Sequence, residues 1–206
     1  MQSFLGTTTD RQQLRQRFGS LRRTQKTDAR QRALEAALLP WLSARSFHCA
    51  GVYAPTAGEP DLVSALSRAV TVKALAYPVV DDVAARLMHY EVVTDETPMV
   101  PGAYGIPAPV NGVRTVPDLI FAPCVAVTPT GFRLGNGGGY FDRWLAALPK
   151  NRRPVTVAVA WEALVTTAFV PEVHDIALDW IATEAGVRRS GFYHTRRKTC
   201  SFRRRI

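Results

Sequence analysis

Arg133-Leu134-Gly135-Asn136-Gly137-Gly138-Gly139-Tyr140-Phe141-Asp142-Arg143-Trp144 packs four glycines into five positions between an apolar strand-like run and an apolar helix-like run. Glycine takes backbone angles closed to other residues and lets a ligand reach the N–H groups. A glycine turn that opens a helix therefore makes an anion cradle, where free amides and the positive end of the helix dipole coincide. Arg133 adds a fixed cation for phosphate, and Asp142 a carboxylate able to hold Mg²⁺. The stretch is not a P-loop, because no Gly-Lys-Ser/Thr ends it. Nor is it a dinucleotide fingerprint, because Tyr140 stands where the last glycine of that pattern belongs. It reads as a nucleotide-phosphate site, with a plain strand-to-helix turn as the alternative.

Strand and helix patterns alternate on either side of it. After the motif, 140–148 is helical up to Pro149, and 155–160 is an apolar strand, interrupted only by Thr156, of the kind found in a sheet covered on both faces. Trp161 and Glu162 follow at its C-terminal end, where open α/β sheets place ligands. A helix-like segment then leads to Val170-Pro171, and Trp180-Ile181-Ala182-Thr183 is a last strand. Before the motif, 119–121 and 125–127 read as central strands and Pro129-Thr130-Gly131 as a turn. Residues 94–117, rich in Pro and Gly, form a long connection in which Tyr104-Gly105-Ile106-Pro107 suits a ligand-covering loop.

In the N-terminal half, Leu14, Phe18 and Leu21 fall at i, i+4 and i+7, a helix stripe beside which Arg11, Arg15 and Arg22 lie. That basic face is either solvated or an arm reaching phosphates. A second helix begins near Asp28, uses Leu34, Leu38, Trp41 and Leu42, and is expected to break or kink at Pro40. Strands at 47–53, 72–80 (closed by the acidic turn Asp81-Asp82) and 87–93, with a helix from Asp61, point to parallel pairing with crossover helices.

The chain has 206 residues, 47% of them hydrophobic, enough for one domain with a substantial core. It has no apolar run of membrane-spanning length and no secretory leader. Cys49, Cys124 and Cys200 form no C-x-x-C pair and read as reduced structural thiols of a cytoplasmic protein. The net charge of +9 is concentrated at the end: residues 187–206 hold eight of the 26 basic residues and no acid, leaving 18 against 17 acids elsewhere. This tail reads as a solvated extension, so neither nucleic acid nor membrane is an expected partner. There is no internal repeat and no metal-ligand spacing of His or Cys.

Taken in order, the motifs resemble the 5-formyltetrahydrofolate cyclo-ligase family, also called methenyltetrahydrofolate synthetases. Pro117-Asp118-Leu119-Ile120-Phe121-Ala122-Pro123 and the glycine motif carry the likeness. Arg11, Leu14-Arg15, Glu59, Met88, Tyr104-Gly105-Ile106-Pro107, His174-Asp175 and Thr183-Glu184 support it. The resemblance implies an α/β fold of the NagB/RpiA/CoA-transferase-like kind. That is a single three-layer domain over 1–186, its mainly parallel central sheet flanked by helices, with 187–206 as the tail. It implies a ligase, expected as a monomer, that converts 5-formyltetrahydrofolate to 5,10-methenyltetrahydrofolate with ATP as co-substrate and Mg²⁺ as cofactor, releasing ADP and phosphate.

On this resemblance, Arg11, Arg15, Arg133, Leu134, Gly135, Asn136, Gly137, Gly138, Gly139 and Tyr140 bind ATP, with Arg133 and Tyr140 acting in catalysis. Asp142 and Asp175 are the metal carboxylates, and Glu59, Met88, Tyr104 and Trp161 line the folate pocket. The sequence departs from the family at Arg11, where lysine is usual, at Val127-Thr128, where Phe-Asp is common, and at Cys124 and Leu164. These departures frame the alternative, a divergent paralogue that binds folate or nucleotide with little turnover.

Overall fold

Five parallel strands form the middle of an eight-stranded mixed sheet in the computed structural model, which describes residues 10–191. The chain begins with α1 (Arg11–Gln25) and α2 (Asp28–Ser43), followed by β1 (Ala50–Gly51), α3 (Val63–Ser67), β2 (Leu75–Asp82) and β3 (Leu87–Val93). Then come β4 (Met99–Pro101), β5 (Pro107–Pro109), β6 (Val113–Thr115), β7 (Leu119–Pro123), β8 (Ala126–Val127) and β9 (Arg133–Leu134). Last are α4 (Tyr140–Ala147), β10 (Val155–Val159), β11 (Trp180–Thr183) and β12 (Gly186–Arg189). Strand order in the main sheet is β12-β11-β10-β7-β1-β2-β3-β6. No helix among the described residues is long and apolar enough to cross a membrane.

α1 is capped by Asp10, whose carboxylate accepts from Gln12 N and Gln13 N, and it buries Leu14, Phe18 and Arg22. α2 runs through Pro40 instead of breaking there. The proline removes one intrahelical bond near the C-terminus, and the burial of Leu38, Trp41 and Leu42 outweighs that loss. The first three helices pack into the larger core, whereas Tyr140, Phe141 and Trp144 of α4 cover the other face over Met88, Tyr90 and Ile120.

Several pairings differ from the sequence reading. β2 pairs in parallel with β1 but antiparallel with β3, and the acidic pair Asp81-Asp82 lies within or at the end of β2. Pro78 is tolerated inside β2 because β1 pairs only with Leu75 and Ala76, so the strand has no neighbour on that side at Pro78. β8 is buried yet stands outside the main sheet, in a two-stranded ladder with β9, because the Thr128 turn folds it straight back. The connection 94–117 is built as a β4–β5 hairpin plus β6, which edges the sheet against β3. The helix expected after Trp161 is one 3₁₀ turn, Glu162–Leu164. The tail boundary also shifts: residues 186–189 are β12, with Arg188 paired to Glu162 and Arg189 over Trp180. The rest of the tail, 192–206, lies outside the described residues, as does Cys200.

Numbered among themselves, the parallel strands run second, first, third, fourth, fifth, so the order reverses between β1 and β7. In open α/β sheets the crevice beyond the strand C-termini at such a reversal is where ligands bind.

Candidate active site

A cleft of about 970 Å³ opens at that crevice, lined by Tyr53 and Ala54 after β1 and by Pro123 at the end of β7. One wall carries Arg11, Arg15, Arg133 and the glycine loop, and Glu59 stands apart from it beside Arg22; Met88 and Tyr104 also line the cleft, Tyr104 meeting Tyr140 of the glycine wall.

The glycine wall is a helix start left open. Gly139 is the N-cap of α4 at φ 68°, and no side chain caps the helix. The first amides of α4 thus lack the intrahelical acceptors that later turns enjoy. Gly137, at φ 101°, needs the same left-handed freedom, and a Cβ there would lie 3.5 Å from the Arg15 guanidinium carbon. Arg15 Nε donates to Gly135 O at 2.9 Å, and Arg11 Nη1 to Asp175 Oδ2 at 2.8 Å. Burial first, and then Arg11 beside it, lowers the Arg15 pKa below its ordinary value. An arriving anion would relieve that strain. Arg133 Nη2 donates to Asp142 Oδ2 at 2.7 Å, with its guanidinium 4.8 Å from the Phe141 ring centre. Arg11 Nε and Arg133 Nε are buried without a hydrogen-bond acceptor in the protein. The uncapped amides and the arginine side chains that line this wall suit phosphate oxygens.

The sequence assigned Asp142 and Asp175 to metal; in the structure both line the cleft on arginines. Asp142 also accepts Ile176 N, and Asp175 also accepts Glu172 N. No cluster of three His, Cys, Asp or Glu suited to a metal exists among the described residues. The pair therefore forms no ready cage. It suits an ion that arrives on phosphates and takes one or two carboxylates, as Mg²⁺ characteristically does.

Away from the glycine loop, Glu59 is only 3% exposed. Its Oε1 accepts Arg22 Nη1 at 2.8 Å, and its Oε2 accepts Thr56 N at 2.8 Å. Met88 reaches the cleft from β3. Tyr104 sits at φ 59° in the 94–117 connection, 68% exposed, its hydroxyl 2.9 Å from that of Tyr140. That hydrogen bond, ahead of desolvation, raises the Tyr140 pKa.

Trp161 is a correction. It is fully buried and does not line the cleft; its Nε1 donates to Gly58 O at 2.9 Å and steadies the Glu59 loop from behind. The sequence reading also missed Arg22 as a partner of Glu59, having placed it on an outer basic face. The available signal was its position four residues after Phe18, on the apolar stripe itself. Arg11 pairs with Asp175, whereas the other departures stand off the cleft. Leu164 is core, Cys124 is buried, and Thr128 accepts Phe132 N in its turn. Burial pushes the Cys124 thiol up to about 12, so it is no nucleophile at neutral pH.

Residues 7–184 match the 5-formyltetrahydrofolate cyclo-ligase family. The chain is 27% identical over 208 residues to the mitochondrial 5-formyltetrahydrofolate cyclo-ligase of Arabidopsis thaliana, covering 87% of this chain and 73% of that one. The Haemophilus influenzae 5-formyltetrahydrofolate cyclo-ligase is 33% identical over 88 residues, 40% of this chain and 46% of that one. Among solved structures, Aquifex aeolicus 5,10-methenyltetrahydrofolate synthetase matches with a TM-score of 0.69 at 27% identity, over 88% of this chain and 93% of that one. The Mycoplasma pneumoniae 5,10-methenyltetrahydrofolate synthetase shares the fold, with a TM-score of 0.67 at 19% identity over 85% of this chain and 99% of that one. The match runs from just ahead of α1 through the end of β11, and the chain belongs to the 5-formyltetrahydrofolate cyclo-ligase family.

Proposed function

We propose that the protein is an ATP- and Mg²⁺-dependent cyclo-ligase that converts 5-formyltetrahydrofolate to 5,10-methenyltetrahydrofolate with release of ADP and phosphate. The observation that carries this is the pairing, within one cleft, of an uncapped helix start ringed by arginines with a pocket bearing a buried carboxylate. The glycine wall suits a triphosphate, and the carboxylate suits an N–H-rich head group.

A formyl oxygen on nitrogen is a poor leaving group, so the reaction needs activation. The formyl oxygen attacks the γ-phosphorus of ATP and ADP departs. N10 then attacks the activated formyl carbon and loses its proton, and phosphate leaves with the former formyl oxygen, closing the ring. Such phosphoryl transfer depends on alignment and charge stabilisation more than on a protein nucleophile. Arg11, Arg15 and the amides of 135–140 hold the phosphates. Arg133, fixed by Asp142, and Tyr140 at the helix start face the charge that develops on the transferred group. Mg²⁺ bound with the nucleotide neutralises phosphate charge, and Asp142 and Asp175 are the cleft carboxylates that would hold or orient it. Glu59 accepts pterin N–H groups, while Met88 and Tyr104 cover the ring.

The test is spectroscopic. Purified protein with ATP, Mg²⁺ and 5-formyltetrahydrofolate is expected to develop the near-ultraviolet band of the methenyl product, and to fail when ATP or Mg²⁺ is omitted. A folded protein that forms no such band refutes the proposal.

A further inference from the structure

We infer that Arg22 is a positioning residue for the substrate, acting through Glu59; this rests on the reading of Glu59 as the acceptor for the pterin. Arg22 and Glu59 are both about 4% exposed at their side chains and are joined at 2.8 Å. Arg22 Nε also donates to Ala57 O at 3.1 Å, so one guanidinium holds two residues, Ala57 and Glu59, of the turn that presents the carboxylate. A carboxylate offers about four acceptor positions. Arg22 fills one, and Thr56 fills two through its N–H and hydroxyl, leaving one for a ligand in the cleft that Glu59 lines. The remaining acceptor thus has a defined direction, set by Thr56, which lines the cleft itself, and by Arg22, which does not.

Arg22 also fixes where this acceptor stands relative to the nucleotide wall. Arg11, Arg15 and Arg22 fall at i, i+4 and i+11 on α1, close to three full turns, and so share one face of an unbroken helix. The N-terminal end of that face reaches Asp175 and Gly135, and the C-terminal end reaches Glu59. At 1.5 Å per residue the helix holds the outer two about 16 Å apart. Their separation is set by a rigid element and not by loops. Gly58 permits the close seating: at φ 82°, a Cβ there would come within 2.8 Å of the Arg23 backbone.

The test is steady-state kinetics on the full chain with ATP, Mg²⁺ and 5-formyltetrahydrofolate. Arg22→Met keeps the bulk and removes the charge. It is expected to raise KM for the folate about 10- to 100-fold, the cost of losing a charge-assisted hydrogen bond, with KM for ATP within about twofold of wild type. Arg22→Lys is expected to recover most of the loss. An unchanged folate KM, or equal rises in both KM values, overturns the inference. The double variant Arg22→Met/Glu59→Gln removes both buried charges together, which protects folding if the single change does not fold. Its folate KM should match that of Glu59→Gln alone, because Arg22 acts only through Glu59; a further rise beyond about threefold overturns the inference. A wild-type chain without turnover sinks the function and the inference together, whereas wild-type turnover with an unresponsive folate KM sinks the inference alone.

Discussion

Asp142→Asn separates the two roles open to this carboxylate. Two donors converge on it: Arg133 Nη2 at 2.7 Å on Oδ2, and Ile176 N at 3.1 Å on Oδ1. Asparagine keeps one acceptor oxygen and turns the other position into a donor, so one of the two must lose its partner. The ion pair is largely buried, with side-chain exposures of 6% for Arg133 and 13% for Asp142. Removing one partner of such a pair costs about 3–5 kcal/mol, and the neutral hydrogen bond that survives recovers about 1 kcal/mol. The net loss is about 2–4 kcal/mol. For a domain of this size it lowers Tm by roughly 5–15 °C. The assay is thermal unfolding followed by circular dichroism, with Mg²⁺ chelated and no nucleotide present. If Asp142 served only as a metal ligand, the substitution would cost nothing under those conditions. A Tm within about 2 °C of wild type would refute the assignment of Asp142 to Arg133. In the same variant Arg133 loses its fixed direction, and turnover is expected to fall at least tenfold.

Three further outcomes follow from the geometry. Gly139→Ala places a side chain at φ 68°, costing about 1–2 kcal/mol, and is expected to raise KM for ATP more than KM for the folate; equal effects would deny the loop its phosphate role. Tyr104→Phe removes the hydroxyl contact that chiefly raises the Tyr140 pKa, so Tyr140 should titrate nearer the ordinary tyrosine value by ultraviolet difference spectroscopy, with Tm changed by less than about 2 °C. The neutral Tyr140 phenol is the favoured form in the wild type, and the variant should ionise at lower pH. Burial pushes the Cys49 thiol to about 11 and that of Cys124 to about 12, so neither should react with a thiol reagent at pH 8 in the folded protein. Peptide mapping that finds either one labelled as fast as a free thiol would contradict their burial.

Much of the architecture was legible wherever local chemistry and tertiary environment agree. The apolar run of β7, and that of β10 broken only by Thr156, announce strands covered on both faces, and the two are neighbours in the interior of the sheet. The glycine motif declares a strand, an open turn and a helix start, all three of which are present. What was not legible depends on partners. Periodicity carries no pairing direction, but residues 83–86 are too few for a crossover, so the antiparallel pairing of β2 and β3 lay in the spacing and was missed. β8 is apolar because it is buried, whichever ladder it joins. Trp161 follows a sheet strand that ends at the crevice, but whether an indole at that place faces ligand or core depends on the Gly58 carbonyl that takes its N–H. The acidic residues were harder still. A carboxylate beside a phosphate loop looks like a metal ligand until its arginine is located, and Arg11 lies 164 residues from Asp175.

The central claim is that one cleft couples nucleotide cleavage to ring closure. Its most direct test measures ADP and the methenyl product in the same sample as 5-formyltetrahydrofolate is consumed with ATP and Mg²⁺. Equal amounts of the two, with none of either when the folate is omitted, are predicted. ADP released without methenyl product, or product formed without ADP, would contradict the account.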